Sequence, residues 1–375
     1  MAAPAAVTQA WRSWNGPARL HGIDLARALA VLGMLAAHLI TIDESFELGR
    51  PETWIDLVNG RSSVLFAVLA GVSLALVSGG IRGQESGRLA TTRRRIAVRA
   101  AALWIIGAAL IATGVPVYVI LPAYAILFVL ALPALRVRPG ILWAIAAAIL
   151  VGVPWFLPAI DLLPVWESDS GETVFLLLGW AYPFPLWIGF VLLGMAIGRS
   201  DLRRPTTQVL LLAGGVAVAV TAAIAASVFS ASAVLLDAPY LDAVWSAYPH
   251  SGGILDAVGS AGVALAVTGA CLLLCRTPLT WLLAPLRAVG SMPLTAYVGQ
   301  IVAWAIAAAL LLGDTGDLYA FRDLQPFWWF VAGAVLACTA WASIIGQGPL
   351  EWLLARLARA VVPERQRDAA DRVDT

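Results

Sequence analysis

"GIDLARALAVLGMLAAHLITI", residues 22–42, has the length and apolar content of a bilayer-crossing helix. A helix needs about 20 predominantly apolar residues to cross a hydrocarbon core of about 30 Å. Yet this stretch carries three ionisable side chains, Asp24, Arg27 and His38. Eleven residues separate Arg27 from His38. At 100° per residue that is only about 20° beyond three full turns, so the two share one face, roughly 16 Å apart along the axis. Asp24 lies three residues before Arg27, within side-chain reach on the same helix. An Asp–Arg pair near a span end can anchor the helix by snorkelling. A histidine about one turn inside the opposite boundary normally faces a cavity or a partner.

The rest of the chain repeats the pattern. Of its 375 residues, 61% are hydrophobic and 13% charged, and its mean hydropathy is +0.85. Apolar runs fall near 23–42, 62–80, 97–114, 116–134, 140–159, 174–198, 207–229, 254–275, 288–312 and 327–346. The expected fold class is all-α, a polytopic membrane helical bundle of about ten transmembrane helices embedded in the lipid bilayer. The expected organisation is a flexible arm over 1–22, a single transmembrane domain over 23–346 and a tail over 347–375, amphipathic or disordered. Pro183 and Pro185 in "GWAYPFPLWIG" predict a kink or a break in the sixth run. Such a break is tolerable only where protein or water satisfies the freed backbone groups.

Loop charge predicts orientation. "IRGQESGRLATTRRRIAVR" carries six arginines against one glutamate, and the arm, every second loop and the tail are also basic. The loops between them are acidic: "DESFELGRPETWID", "DLLPVWESDSGE", "DAPYLDAVW" and "GDTGDLYAFRD". The positive-inside rule then places both termini in the cytoplasm, in an inner membrane. The formal net charge of +1 gives no footprint for nucleic acid. The three cysteines, Cys271, Cys275 and Cys338, fit no zinc spacing and read as packing residues, so no metal is expected.

Two histidines map to the acidic side, His38 and His250 in "SAYPHSGG". His21 lies in the arm and is expected in solvent. An imidazole titrating near pH 6.5 can act as a general base or carry an acyl group. Asp256 and Asp242 are the carboxylates that could orient His250. Arg61 opens the second run on the acidic side, where the topology rule does not account for it; it can polarise a carbonyl, or pair with Asp43, Glu44 or Asp56. Arg93, Arg94, Arg95 and Arg99, with Arg27, form a cluster suited to phosphate as well as to topology. Trp54, Trp245 and Tyr248 belong to an aromatic belt or to a sugar-stacking platform.

An arginine, ten residues and a histidine in a first span that opens "GIDLAR" resemble the transmembrane acyltransferase superfamily. Four further stretches resemble bacterial relatives of its heparan-alpha-glucosaminide N-acetyltransferase branch. They are "GRSSVLFAVLAGVSLAL" at 60–76, "ILPAYAILFVLALPAL" at 120–135, "PHSGG" followed by "VGSAGVALAVTGACLLL", and "VGSMPLTAYVGQ" at 289–300. The resemblance implies transfer of an acyl group from cytoplasmic acetyl-CoA, or another acyl-CoA, to a carbohydrate or lipid acceptor at the outer face. It implies Arg27 and His38 as functional residues, from the acyltransferase-3 pattern. There are departures. In the heparan branch the position of His38 is commonly asparagine. No histidine occurs in 43–61, and Gln300 stands where relatives often carry one. His38 and His250 both remain candidates for the base, with Arg61 beside them. Two other readings stay open, a transporter or lipid flippase of the envelope and a non-catalytic membrane sensor or subunit of the same fold; a homodimer is the expected assembly to test.

Overall fold

The computed structural model describes residues 10–11, 14–17, 19–42, 46–47, 49–236 and 238–363, with only the backbone described over 230–236. Asp43 and Glu44, and residues 364–375 of the tail, lie outside the described residues. The described residues are helices, turns and loops, with no strand among them.

The first run forms α1, His21–Leu39, and it is the central pillar. Most of its length is buried, because α2 (Arg61–Val77), α10 (Ile254–Leu274) and α11 (Ala284–Ser291) all pack on it. Small residues permit that closeness, as in membrane bundles generally. A methyl group on Gly290 would strike the carbonyl oxygen of Asp24. The same holds between α2 and α7 (Phe184–Gly198), where a methyl on Gly71 would run into the carbonyl of Val191.

Around this centre lie α3 (Ser86–Ile111), α4 (Leu121–Ala131), α5 (Pro139–Gly152), α6 (Gly171–Leu178), α8 (Pro205–Leu236) and α9 (Pro239–Trp245). The chain closes with α12 (Pro293–Leu312), α13 (Leu318–Asp323), α14 (Phe327–Ile344) and α15 (Pro349–Val361). In α8 and α14, only 17% and 11% of the most apolar stretch is buried inside the protein. Faces that apolar need lipid tails, so the chain is a multi-pass membrane protein.

Among the described residues, five helices are long and apolar enough to cross a membrane, or up to seven if each of two bent pairs counts as one span. The other expected runs are short or broken, and the breaks have local causes. The sixth run splits into α6 and α7 at 179–183, where Gly179 takes a left-handed φ of 63° and Pro183 starts α7. The ninth run, expected as one helix, splits at Met292–Pro293 into α11 and α12, since proline cannot donate within a helix. The fourth run is only an 11-residue helix. The segment before it dips into the bundle, with Val119 and Ile120 buried.

The tail begins as an amphipathic helix, α15, docked on α3 and α12. Glu351 fixes it in place. Its carboxylate accepts from the backbone N–H groups of Leu294 and Thr295 at 2.8 and 3.1 Å, and from the Thr295 hydroxyl at 2.5 Å. A negative charge there satisfies the free donors at the start of α12. The end of the arm packs as well: Trp14 is 2% exposed and Asn15 accepts from Arg287 at 2.6 Å. His21, expected in solvent, is half-buried with Nε2 enclosed, because it starts α1 beneath this contact.

Candidate functional site

Two sets of the residues singled out from sequence come together, at opposite ends of α1. At the arginine-rich end, Asp24 is 3% exposed and sits between two guanidinium groups. Arg19 Nε donates to it at 2.5 Å and Arg27 Nη1 at 3.3 Å. A buried carboxylate needs such partners. Arg27 Nη2 also donates to Ser73 Oγ on α2 at 2.7 Å, and Ser73 in turn donates to the Leu69 carbonyl. The guanidinium is therefore held in one orientation.

Arg27 lines a cavity of about 300 Å³, and Arg99 lines it from α3. The remaining walls are mainly apolar: Phe66 and Leu69 of α2, Leu103 of α3, Leu121, Tyr124 and Phe128 of α4, and Pro293 and Leu294 of α12. Glu351, Leu354 and Ala355 of the tail helix complete it, beside Gln347. Arg99 Nε is buried without a hydrogen-bond partner. An apolar chamber with a few fixed polar groups is the usual form of a small-molecule site.

The other three arginines of the cluster lie elsewhere. Arg93 donates to the Leu132 carbonyl at the end of α4, at 3.1 Å, and Arg95 to the Val362 carbonyl at the end of α15, at 3.0 Å. Both cap helix C-termini. Arg94 is exposed. Helix periodicity separates these roles, but a sequence does not announce which face meets the cavity.

At the acidic end, His250 lies in the turn before α10 with φ +64°, a left-handed conformation uncommon for a residue with a side chain. The Asp256 carboxylate accepts from Ser260 Oγ at 3.2 Å and attracts the nearby backbone amides of His250 and Gly252, and its own backbone N–H donates to the Ser246 carbonyl at 3.0 Å. Asp256 therefore holds the backbone of the turn. Asp242, the other expected orienting carboxylate, is exposed on α9. The imidazole stands edge-on to the Tyr182 ring, centroids 5.9 Å apart. The residue is open to solvent on one side. Protein packed around the other side displaces enough water to lower its pKa below the ordinary 6.5.

Gly60 packs against this turn, and Arg61 follows it at the start of α2. Gly60 has φ +69°, and a methyl there would meet Pro249 Cβ at 3.1 Å. Arg61 donates to the Asp56 carbonyl at 3.1 Å and acts electrostatically on Asp256. His250, Gly252, Asp256 and Gly60 line a second, small pocket of about 20 Å³, with Trp187 and Phe190 of α7. His38, in the last turn of α1, lies within electrostatic reach of both His250 and Arg322. Arg322 was not anticipated. It donates to the carbonyl oxygens of His38 at 2.9 Å and Ala37 at 3.4 Å, and so caps α1 from α13. In sequence it looked like one charge in an acidic loop.

The aromatic candidates are dispersed. Trp54 is 47% exposed and Tyr248 76% exposed. Trp245 has one face covered by Phe229, stacked at 4.4 Å, and meets Trp155 edge-on. The three cysteines are free thiols, two buried and one half-buried, in packing positions.

A family model described as heparan-alpha-glucosaminide N-acetyltransferase, catalytic, matches residues 19–239, more than half of the chain. It spans Arg27, His38, Arg61 and the whole arginine cluster. A second, of a protein family of unknown function (DUF418), matches residues 215–360, which include His250, Asp256 and Arg322. No curated protein and no solved structure matches the chain. With the first match covering the central pillar and most of the cavity wall, the chain belongs to the heparan-alpha-glucosaminide N-acetyltransferase catalytic family.

Proposed function

We propose that the protein is an inner-membrane acyltransferase that moves an acyl group, acetyl in the simplest case, from cytoplasmic acyl-CoA to an acceptor on the outer face. The acceptor is a hydroxyl or amine of a glycan, a glycolipid or another envelope component. The observation that carries this reading is the cavity shared by Arg27 and Arg99 at the arginine-rich end, opposite a histidine turn at the other end of the same central helix. The apolar walls suit a pantetheine arm, and the two guanidinium groups suit the phosphates or amides that follow it. The exposed Arg94 stands on the side from which such a donor arrives.

At the acidic end, the neutral imidazole of His250 or His38 takes the proton from the acceptor oxygen or nitrogen as that atom attacks the thioester carbon. The carbon–sulfur bond then breaks, and the coenzyme thiolate leaves and takes up a proton. The products are acylated acceptor and free thiol. A lowered pKa keeps His250 in the basic form at neutral pH. Arg61 stands near enough to Asp256 to steady the charge that develops on the carbonyl oxygen. Trp54, Trp245 and Tyr248 are the aromatic groups on the acceptor's approach.

Purified protein given acetyl-CoA and envelope lipid extract should release coenzyme thiol, and His38→Ala or His250→Ala should abolish the release. No binding and no release would sink the reading. The helix breaks at 179–183 and at Met292–Pro293 favour a second reading, a carrier with discontinuous helices. Proteoliposome uptake that proceeds without acyl-CoA would support that one.

A further inference from the structure

The cavity and the histidine pocket share no lining residue. Between them stands a septum of aromatic rings. Phe66 of α2 meets Tyr124 of α4 edge-on at 5.4 Å and stacks against Tyr297 of α12 at 6.5 Å. Tyr182 lies within electrostatic reach of Tyr124 and carries the His250 ring on its other side. Phe66 and Tyr124 line the cavity, so they form its inner wall.

The hydroxyls of this septum are not equivalent. Tyr297 Oη accepts from the backbone N–H of Ile120 at 3.2 Å, and Tyr182 Oη donates to the Tyr118 carbonyl at 3.0 Å. Tyr124 is 2% exposed, and its hydroxyl has no hydrogen-bond partner. A buried hydroxyl left unpaired is destabilising, and such groups in native proteins call for an explanation. Tyr124 lines the cavity, and its buried hydroxyl lies within electrostatic reach of Tyr182 and Tyr297. Hydrogen bonds at reaction sites commonly tighten only when substrate is bound.

We infer that the Tyr124 hydroxyl is the hydrogen-bond donor for the acyl carbonyl of the donor thioester, and that the septum is the point through which the acyl group reaches the histidine end. This rests on the reading of the cavity as an acyl-CoA site. Coenzyme A itself has no acyl carbonyl, so it separates this role from general support of the cavity.

The test compares acetyl-CoA with coenzyme A binding to the purified full chain, in wild type and Tyr124→Phe. The expected result is about fivefold to tenfold weaker acetyl-CoA binding in Tyr124→Phe, the size of one lost hydrogen bond. Coenzyme A binding stays unchanged, and the melting temperature without ligand does not fall. Tyr297→Phe is the contrast: it loses a bond already made, so it lowers the melting temperature without discriminating the two ligands. Independently of any variant, the carbonyl stretch of isotope-labelled acetyl-CoA should shift to lower frequency when bound to wild type. Equal binding by wild type and Tyr124→Phe, equal weakening of both ligands, or an unshifted carbonyl would overturn the assignment while leaving the cavity reading intact. Failure of wild type to bind either ligand would overturn both.

Discussion

The two ends of α1 are built differently. At the arginine-rich end the groups are fixed before any ligand arrives: Arg27 is tied to Asp24 and Ser73 inside a walled cavity of about 300 Å³. At the histidine end the pocket is about 20 Å³, and His250, Tyr248 and Trp54 stand open to solvent. The backbone, not the side chains, is what is held there, by Asp256 and Gly60. The contrast teaches that the arginine-rich end is preorganised, which on the acyltransferase reading suits one kind of donor molecule. On the acyltransferase reading, a pocket of only about 20 Å³ leaves most of an acceptor outside it, against the exposed His250. Substitutions at the two ends should therefore separate into effects on donor affinity and effects on turnover.

The largest expected effect is on turnover. Replacing the acting base, His250→Ala or His38→Ala, should lower kcat by about 10²- to 10⁴-fold while acetyl-CoA affinity is unchanged. A matching loss of donor affinity would break the comparison. Next comes Arg27→Ala, which should raise the KM for acyl-CoA at least tenfold and also lower the melting temperature. It removes one of two cations from a buried carboxylate, and breaking a buried pair is costly, about 3–5 kcal/mol when no partner remains. Arg19 remains, so the loss should fall below that range. Arg99→Ala should raise KM without the stability loss, since its Nε has no partner to lose. Steady-state kinetics paired with thermal unfolding separates the two arginines.

The pH profile sharpens the comparison further. The active form of the base is the neutral imidazole, and the pKa of His250 is lowered from 6.5 by displaced water. If His250 is the base, activity is present at neutral pH and is lost as the pH falls through its lowered pKa, with a midpoint below 6.5. An acid limb centred above 6.5 in kcat/KM would assign the base elsewhere. The smallest effect belongs to the tail. Glu351→Gln should cost about 1 kcal/mol, the usual worth of a helix cap, because the charge that holds α15 on α12 is gone. A modest rise in the KM for acyl-CoA should accompany it, read by the same assays.

Hydropathy made the all-helical membrane class legible in sequence, and loop charge set an arginine-rich end apart from an acidic one. The eleven-residue spacing placed Arg27 and His38 on one face before any packing was known. What stayed hidden was lateral. Arg93, Arg95 and Arg99 are alike in sequence, yet two of them cap the ends of distant helices and one faces the cavity. Glu351 looked like a charge in a polar tail, and Arg322 like a charge in an acidic loop. Each is defined by a carbonyl or amide contributed from far along the chain, and no local pattern encodes that meeting. The septum was hidden for the same reason: Phe66, Tyr124 and Tyr297 come from three separate helices and Tyr182 from the loop between α6 and α7.

The most direct test supplies acetyl-CoA, which does not cross membranes unaided, to one face at a time of oriented proteoliposomes containing envelope lipid, and measures thiol release. The account predicts saturable release only when acetyl-CoA is offered to the arginine-rich face, with the acetyl group recovered on lipid or glycan at the opposite face. Absence of release from either face, together with no saturable binding, would contradict it.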